Sequence, residues 1–194
     1  GVIEDLQKRY PFIRSIRHER NLGLGAGFKE ALEVARYDKF LLVPGDNDLS
    51  VAALTNLFLK SRLADMVFLF FLNNEIRGRS RHLISTVFGL IYTVTFGVFV
   101  QYINSPSVYL TAKLRTLNIR SRRFSIFSEI NTKMLRLGST FCEVYDFRMN
   151  GNEGSTSLSF KNFVEIVATY FKLVWEIRFS HRRPFSQKPV RVAA

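Results

Sequence analysis

Two carboxylates stand one residue apart in Asp46-Asn47-Asp48, directly after the apolar run 40–43. A continuous apolar run of this length predicts a strand that is buried on both faces of a sheet. In open α/β sheets, ligands bind beyond the carboxyl ends of strands, and hard divalent cations take carboxylate oxygens. The pair could therefore hold Mg²⁺ or Mn²⁺, which would act as a Lewis acid toward a departing diphosphate. The alternative is a polar turn, because Asp and Asn are ordinary turn formers.

A glycine-rich segment lies upstream of this motif and runs from Asn21 through Gly23 to Gly27. It leads into a predicted helix at 26–36, so its backbone N–H groups could face an anion. Its spacing differs from the glycine pattern that binds dinucleotides. The alternative is a tight strand-to-helix connection without a ligand.

The elements that must position these residues alternate between helix and strand along the first half of the chain. Hydrophobic periodicity predicts helices at 2–9, 26–36, after the capping residue Ser50, at 126–137 and at 160–179. It predicts strands at 12–16, 40–43, 65–72, 108–112 and 140–147, and a basic loop at 113–123. This alternation favours an α/β fold with a mostly parallel sheet flanked by helices.

Composition and charge narrow the classes of function. The 194 residues include 19 Phe, which excludes intrinsic disorder, and the single Cys142 excludes a disulfide scaffold. The net charge is +12, and residues 1–49 contribute none of it because they hold eight basic and eight acidic side chains. An excess confined to residues 50–194 predicts an anionic partner such as a phosphorylated substrate or an acidic membrane surface. The aromatic residues lie in apolar runs rather than between exposed basic residues, which disfavours nucleic acid as the partner.

The order of these motifs resembles family 2 glycosyltransferases with the GT-A, Rossmann-like fold. The closest resemblance is to the polyprenyl-phosphate branch, of the dolichol-phosphate mannosyltransferase type. It covers about residues 10–160 and is carried by Asn21-x-Gly23, Asp46-x-Asp48, Arg77, Arg81, the uncharged stretch 83–112, Phe127-Ser128-Glu129 and Glu143-Val144. Of these motifs, Asp46-Asn47-Asp48 is the most specific.

The resemblance implies a metal-dependent enzyme that transfers a sugar from a nucleoside-diphosphate donor to a polyprenyl or dolichyl phosphate. Asp46 and Asp48 would be the catalytic residues and would hold Mg²⁺ or Mn²⁺ with the donor diphosphate. Phosphate oxygens of the donor or acceptor would meet Arg77, Arg81 and Arg148, since an Arg fork matches phosphate geometry. Asn21 and Gly23 would form the nucleotide-sugar loop. The expected place is the cytoplasmic face of a membrane, with peripheral or interfacial attachment.

The resemblance also implies a division of the chain. The family begins with a strand carrying a Pro-x-Tyr-Asn-Glu-like motif, which this sequence lacks, so we expect the first ~50 residues of the family fold to be absent here. The family's Arg-x-x-Gly-x-Ser loop is echoed only loosely by residues 148–157. Residues 1–157 would then be a partial GT-A domain, and residues 158–194 an amphipathic helix with a basic tail.

Two apolar segments leave alternatives open. Residues 83–103 are long enough to span a bilayer, but a buried or interfacial helix is the preferred interpretation, with a membrane span and paired strands as the alternatives. The helix at 160–179 has a wide apolar arc followed by a basic tail, which suits either an anionic membrane surface or packing against the sheet. The alternative to the enzyme is thus a non-catalytic basic module that binds membranes or polyanions.

Overall fold

The computed structural model describes residues 1–45, 49–73, 79–123, 125–147, 160–180 and 183–193. The helices are α1 (Val2–Arg9), α2 (Leu24–Val34), α3 (Val51–Lys60), α4 (Arg79–Phe96), α5 (Thr111–Arg115), α6 (Ile126–Arg136) and α7 (Phe160–Trp175). The strands are β1 (Lys39–Leu41), β2 (Met66–Phe71), β3 (Ser107–Leu110), β4 (Thr140–Asp146) and β5 (Val190–Arg191). A π-helical turn, Glu176–Ser180, continues α7, and a 3₁₀ turn, Pro184–Ser186, precedes β5.

The five strands form one mixed sheet in the order β1-β3-β2-β4-β5. Strand β2 pairs in parallel with β4, and β4 with β5, whereas β3 is antiparallel to both of its neighbours. The strands β1, β2, β4 and β5 therefore share one direction, which confirms the α/β class and a mostly parallel sheet. The reversal of β3 arises because Ser107, its first residue, pairs with Phe68, so the chain re-enters the sheet from the carboxyl side of β2.

Strand β2 occupies the middle of the sheet and alternates its side chains between two packed layers. Met66 and Phe68 face a large core built from α2, α4, α6 and α7, to which Phe28, Tyr92, Ile130 and Leu173 belong. The opposite face carries Val67 and Leu69 and packs against α3. The apolar stripe of α3 supplies Ala53 and Leu57, both fully buried, and Ser50 caps the helix by accepting the Ala53 N–H at 2.9 Å, as the sequence predicts.

Three local predictions are wrong. Residues 12–16 have no strand pairing among the described residues, although their apolar pattern is typical of a strand. Strand β1 is half-buried rather than buried on both faces, because it lies at the edge of the sheet. The predicted basic loop at 113–123 begins inside α5, where Leu114 is fully buried and holds the short helix against the core.

The uncharged stretch after residue 82 forms a helix in its first part. Helix α4 extends to Phe96, and Gly97, at φ 65°, ends it with a left-handed residue. Paired strands over 83–103 are therefore excluded. In the part of the chain that the structure describes, the helices are all too short or too polar to cross a membrane.

Candidate functional site

The carboxyl ends of three parallel strands open on the same edge of the sheet. Strand β1 ends at Leu41, β2 at Phe71 and β4 at Asp146. Parallel strands that share an edge bring the segments following them together, which is where open α/β sheets bind ligands. Each of the three segments carries predicted site residues: Asp46 and Asp48 after β1, Arg77 and Arg81 after β2, and Arg148 after β4.

Asp146, the last residue of β4, is hydrogen-bonded to the start of α3 and to the residue that follows β2. Its carboxylate accepts a hydrogen bond from Ser50 Oγ, and Ser50 is the residue that caps α3 two positions after Asp48. The carbonyl oxygen of Asp146 accepts the Leu72 N–H at 3.0 Å, directly after β2 ends. The half-buried Asp146 therefore ties the end of β4 to the end of β2 and to the N-cap of α3, a role that the sequence pattern did not reveal.

Most of the predicted site residues lie outside the described residues. Asp46, Asp48, Arg77 and Arg148 fall in this class, and for Arg81 the structure gives only its place in the first turn of α4. Among the described side chains, no group of three or more His, Cys, Asp or Glu could hold a metal ion. The predicted ligands of Mg²⁺ or Mn²⁺, Asp46 and Asp48, are not among these described side chains.

The glycine-rich turn is described in full, and its contacts are with protein. The Gly23 N–H donates to Asn21 Oδ1 at 2.8 Å, and Gly23 has φ 86°, a left-handed value that favours glycine. The Gly25 N–H donates to Arg122 O at 2.9 Å, and a Cβ on Gly25 would lie 2.5 Å from Ser121 O. The turn thus accommodates the close approach of residues 121–122. A nucleotide-sugar role for Asn21 and Gly23 stays a prediction.

Two carboxylates hold the backbone of the basic segment 120–123 in place. Glu129, on α6, accepts the Arg120 N–H at 3.0 Å and the Ser121 N–H at 2.7 Å. Glu165, on α7, accepts the N–H groups of Arg122 at 3.2 Å and Arg123 at 3.0 Å. Four consecutive backbone donors therefore point at carboxylates, and the segment is fixed between α6, α7 and the start of α2.

A buried ammonium group joins these carboxylates to the rest of the core. Lys133, on α6, is fully buried and donates to Asn118 O at 2.6 Å and Glu129 Oε1 at 2.8 Å. Its Nζ also forms an ion pair with Glu176 Oε1 at 3.0 Å. Burial raises the pKa of Glu129, but the charge of Lys133 and the hydrogen bonds to the carboxylate outweigh burial, so this pKa lies below its ordinary value. Glu129 is therefore ionised at neutral pH and acts as a hydrogen-bond acceptor rather than as an acid.

This network was only partly visible in the sequence. Glu129 enters through the resemblance, as the acidic position of a helix. Its partner Lys133 stands four residues later, a spacing that is common for exposed helix pairs. Glu176 follows much later in the chain, so only the packing of α7 against α6 brings the second carboxylate to the ammonium.

A second ionic cluster lies at the opposite edge of the sheet. Asp65 accepts hydrogen bonds from Lys113 Nζ at 2.6 Å and from the Thr140 N–H at 2.9 Å. Burial raises the pKa of Asp65, but Lys113 and Thr140 together bring it below its ordinary value. The cluster joins the starts of β2 and β4 to α5, so its role is structural.

Helices α4 and α7 contact each other and also expose apolar side chains. Tyr170 packs between Tyr92 and Phe96, with its hydroxyl 2.7 Å from Thr95 Oγ1. Away from this contact, exposed apolar residues continue along both helices: Leu83, Ile84, Val87, Leu90 and Val94 on α4, and Phe163, Phe171, Trp175 and Phe179 on α7 and its π-helical turn. We call these nine residues the apolar surface. Trp175 and Phe179 stack on each other and remain 66% and 67% exposed.

Comparison with known proteins assigns no family. No protein-family model matches the chain, and no curated protein matches it at a significant level.

Proposed function

We propose that the chain takes part in transferring a sugar from a nucleoside-diphosphate donor to a lipid-linked phosphate at the cytoplasmic face of a membrane. Asp46 and Asp48 would hold Mg²⁺ or Mn²⁺ and with it the donor diphosphate. Arg77, Arg81 and Arg148 would contact phosphate oxygens. The metal would supply Lewis-acid stabilisation of the leaving diphosphate when it is bound.

The observation that supports this proposal is the common edge reached by β1, β2 and β4. The acidic motif and the three arginines lie far apart in sequence, yet each follows a strand that ends at this edge. Asp146, at the end of β4, is hydrogen-bonded to Ser50 at the N-cap of α3 and to Leu72 directly after β2. Cations and carboxylates arriving at one edge are what a metal–diphosphate complex requires, since both charges on the ligand need partners.

The reaction places small demands on acid–base chemistry. A phosphate acceptor is already ionised at neutral pH, so a general base is not needed to create the nucleophile. Catalysis would come mainly from positioning the two substrates and stabilising the charge that develops on the diphosphate. This agrees with a set of candidate residues that consists of carboxylates and arginines, without a histidine or cysteine.

Calorimetric titration tests the metal–diphosphate site directly. We expect Mn²⁺ with inorganic diphosphate, and Mn²⁺ with UDP- or GDP-sugars, to give saturable heat that EDTA abolishes. Asp48→Asn should weaken the binding by about tenfold or more, because a neutral amide replaces one of two anionic ligands. Asp38→Asn is the matched control, since Asp38 is exposed near the start of β1, away from the carboxyl edge. Equal binding by both variants, or none by the native chain, would contradict the proposal.

The apolar surface favours a second candidate function, a non-catalytic module that binds an anionic membrane. Val94 is 75% exposed and Phe171 is 65% exposed, which is costly in water and favourable at the acyl boundary of a bilayer. The exposed Arg178 and Arg183 follow α7 and suit acidic headgroups. Membrane binding is shared by both candidate functions, so the diphosphate titration decides between them.

Vesicle flotation tests the membrane surface. The native chain should float with vesicles that contain phosphatidylserine and less with pure phosphatidylcholine. Phe171→Ser/Trp175→Ser should reduce flotation, because two large exposed apolar side chains are removed. The matched control is Phe58→Ser/Leu59→Ser, which alters an equally exposed apolar pair on α3, 62% and 71% exposed. Equal loss in both double variants would refute a specific role for α7.

A further inference from the structure

A cavity of about 380 Å³ lies between the segment 120–123, α6 and α7. Its walls include the two carboxylates that fix this segment, Glu129 and Glu165, together with Glu176 at the end of α7. The volume falls within the range of small-molecule sites.

The charged groups of the cavity are arranged in two layers. At the base, Glu129 and Glu176 are 2% and 7% exposed. The buried Lys133 forms ion pairs with both, and Arg120 lies 4.0 Å from Glu176, so two cations balance two carboxylates. At the mouth, the basic side chains belong to exposed residues, with Arg122 on the segment and Lys172 on α7. Because the base is neutralised, the positive potential of the mouth dominates, and the cavity favours an anion.

Two buried oxygens in the wall have unused hydrogen-bonding capacity. Glu165 uses Oε1 for the two backbone N–H groups, whereas its Oε2 is buried without a hydrogen-bond partner among the described residues. Ser121, only 5% exposed, donates its N–H to Glu129 Oε2 at 2.7 Å, whereas its buried Oγ has no hydrogen-bond partner within the same set. A buried carboxylate oxygen without a donor is costly, so a ligand that offers hydroxyl donors would be stabilised there.

These two features together define the chemistry of the ligand. A neutral sugar would satisfy Glu165 Oε2 but leave the cations of the mouth unused. Inorganic phosphate would meet Arg122 and Lys172 but bring few donors to the wall. We propose that the cavity binds a small phosphate ester that carries free hydroxyl groups, of the sugar-phosphate class, with its hydroxyls on Glu165 and Ser121 and its phosphate at the mouth. This binding needs no metal, so it is tested separately from the metal–diphosphate proposal.

Amide NMR of the full chain in EDTA tests this assignment, with glucose 6-phosphate as the probe. Saturable shifts should appear in residues 120–123 and 165–173. Glucose alone and inorganic phosphate alone should each bind about tenfold or more weakly, because each lacks one set of charge-assisted contacts. Absence of saturable shifts at millimolar glucose 6-phosphate would overturn the proposal, and so would equal affinity for inorganic phosphate.

Single substitutions distinguish the contribution of the cavity wall to binding from that of the cavity mouth. Glu165→Gln keeps an oxygen for the backbone N–H groups but removes the free acceptor, and it should weaken glucose 6-phosphate binding about tenfold. Lys172→Gln should weaken binding of both glucose 6-phosphate and inorganic phosphate. Arg62→Gln, a loss of one positive charge at an exposed residue outside this cavity, is the control for net charge. Unchanged affinity in Glu165→Gln, or an equal loss in Arg62→Gln, would refute the site.

Ser121 allows a test that does not threaten the fold. Ser121→Ala removes a hydroxyl without a hydrogen-bond partner among the described residues, so it should leave thermal stability unchanged while weakening the ester. Ser139→Ala is the matched control, because Ser139 Oγ is equally buried and unpartnered in the described part of the chain but does not line the cavity. Equal affinity of the two variants for glucose 6-phosphate would contradict the proposed contact.

Discussion

Replacing Lys133 with methionine tests how much the buried ammonium group contributes to the stability of the core. The side chains are similar in length, so Lys133→Met retains most of the packing while removing the ammonium group. That group is fully buried, donates to Asn118 O and Glu129 Oε1, and forms an ion pair with Glu176 at 3.0 Å. The variant would remove this cation from two carboxylates that are 2% and 7% exposed, leaving among the described residues only Arg120, 4.0 Å from Glu176.

The expected loss in the free energy of unfolding is large because water cannot reach the buried carboxylates to solvate them. Removing one partner of a buried ion pair typically costs about 3–5 kcal/mol. For a chain of 194 residues, this corresponds to a fall in Tm of about 6–20 °C. By contrast, Lys8→Met removes an ammonium whose side chain is 81% exposed and 3.9 Å from Asp5, and it should leave Tm nearly unchanged.

The difference in Tm between Lys133→Met and the native chain should depend on pH through the ionisation of Glu129. In the native chain the pKa of Glu129 is depressed, so its stabilising contribution is present above the ordinary Glu pKa and is lost as the pH falls through the lowered value. In Lys133→Met, burial acts without the cation and raises the pKa of Glu129, so acidification protonates the carboxylate and favours the folded state. The difference in Tm between the two proteins should therefore narrow as the pH falls from 7 toward ~4.

Thermal melts followed by circular dichroism at several pH values measure both effects. The double variant Lys133→Met/Glu129→Gln should recover part of the loss, because it removes one of the two stranded charges. The reasoning is refuted if Lys133→Met melts within about 2 °C of the native chain at pH 7, a shift that corresponds to at most ~1 kcal/mol. A difference in Tm that widens on acidification would refute the assigned charge states.

The remaining predictions concern the glycine turn and the amino-terminal edge of the sheet. Gly25→Ala should lower the free energy of unfolding by about 1–3 kcal/mol, since its Cβ would lie 2.5 Å from the Ser121 carbonyl oxygen. Gly27→Ala has open space around its Cβ and should be neutral or stabilising. Urea denaturation compares the two variants, and equal stability would contradict the role of the close approach at Gly25. Asp65→Asn should destabilise the fold at pH 7, and its deficit relative to the native chain should shrink as the pH falls through the lowered pKa of Asp65; a deficit that is constant with pH would refute the ionised Asp65–Lys113 pair.

Elements whose local pattern agrees with their surroundings could be predicted from the sequence. Ser50 caps α3 because a serine hydroxyl at that position can accept an N–H of the first turn. Helix α6 and strand β4 lie within one residue of their predicted bounds, since both combine clear periodicity with strong burial. The α/β class followed from the alternation of such segments.

Features that depend on pairing between distant segments could not be predicted. The apolar pattern of β3 gives no direction, and only its entry from the carboxyl side makes it antiparallel to β2. Residues 12–16 have the composition of a strand but no paired neighbour among the described residues. The Glu129–Lys133 spacing suits a pair of exposed side chains. In the fold, contacts with Asn118 O and with Glu176, which follows α7, place the pair inside the core.

The topology explains why the cavity lies toward the carboxyl ends of the strands. Helix α2 leads directly into β1 and α6 leads directly into β4, so the start of each helix lies toward the carboxyl ends of the strands. The contact of Gly25 with Arg122 occurs at the start of α2, and Glu129 lies in the first turn of α6. The cavity therefore lies toward the carboxyl ends of β1, β2 and β4, the strands that precede the acidic motif and the arginines in the sequence. Titration of glucose 6-phosphate in EDTA and titration of diphosphate with Mn²⁺ test the two proposals separately, because only the second proposal requires a metal.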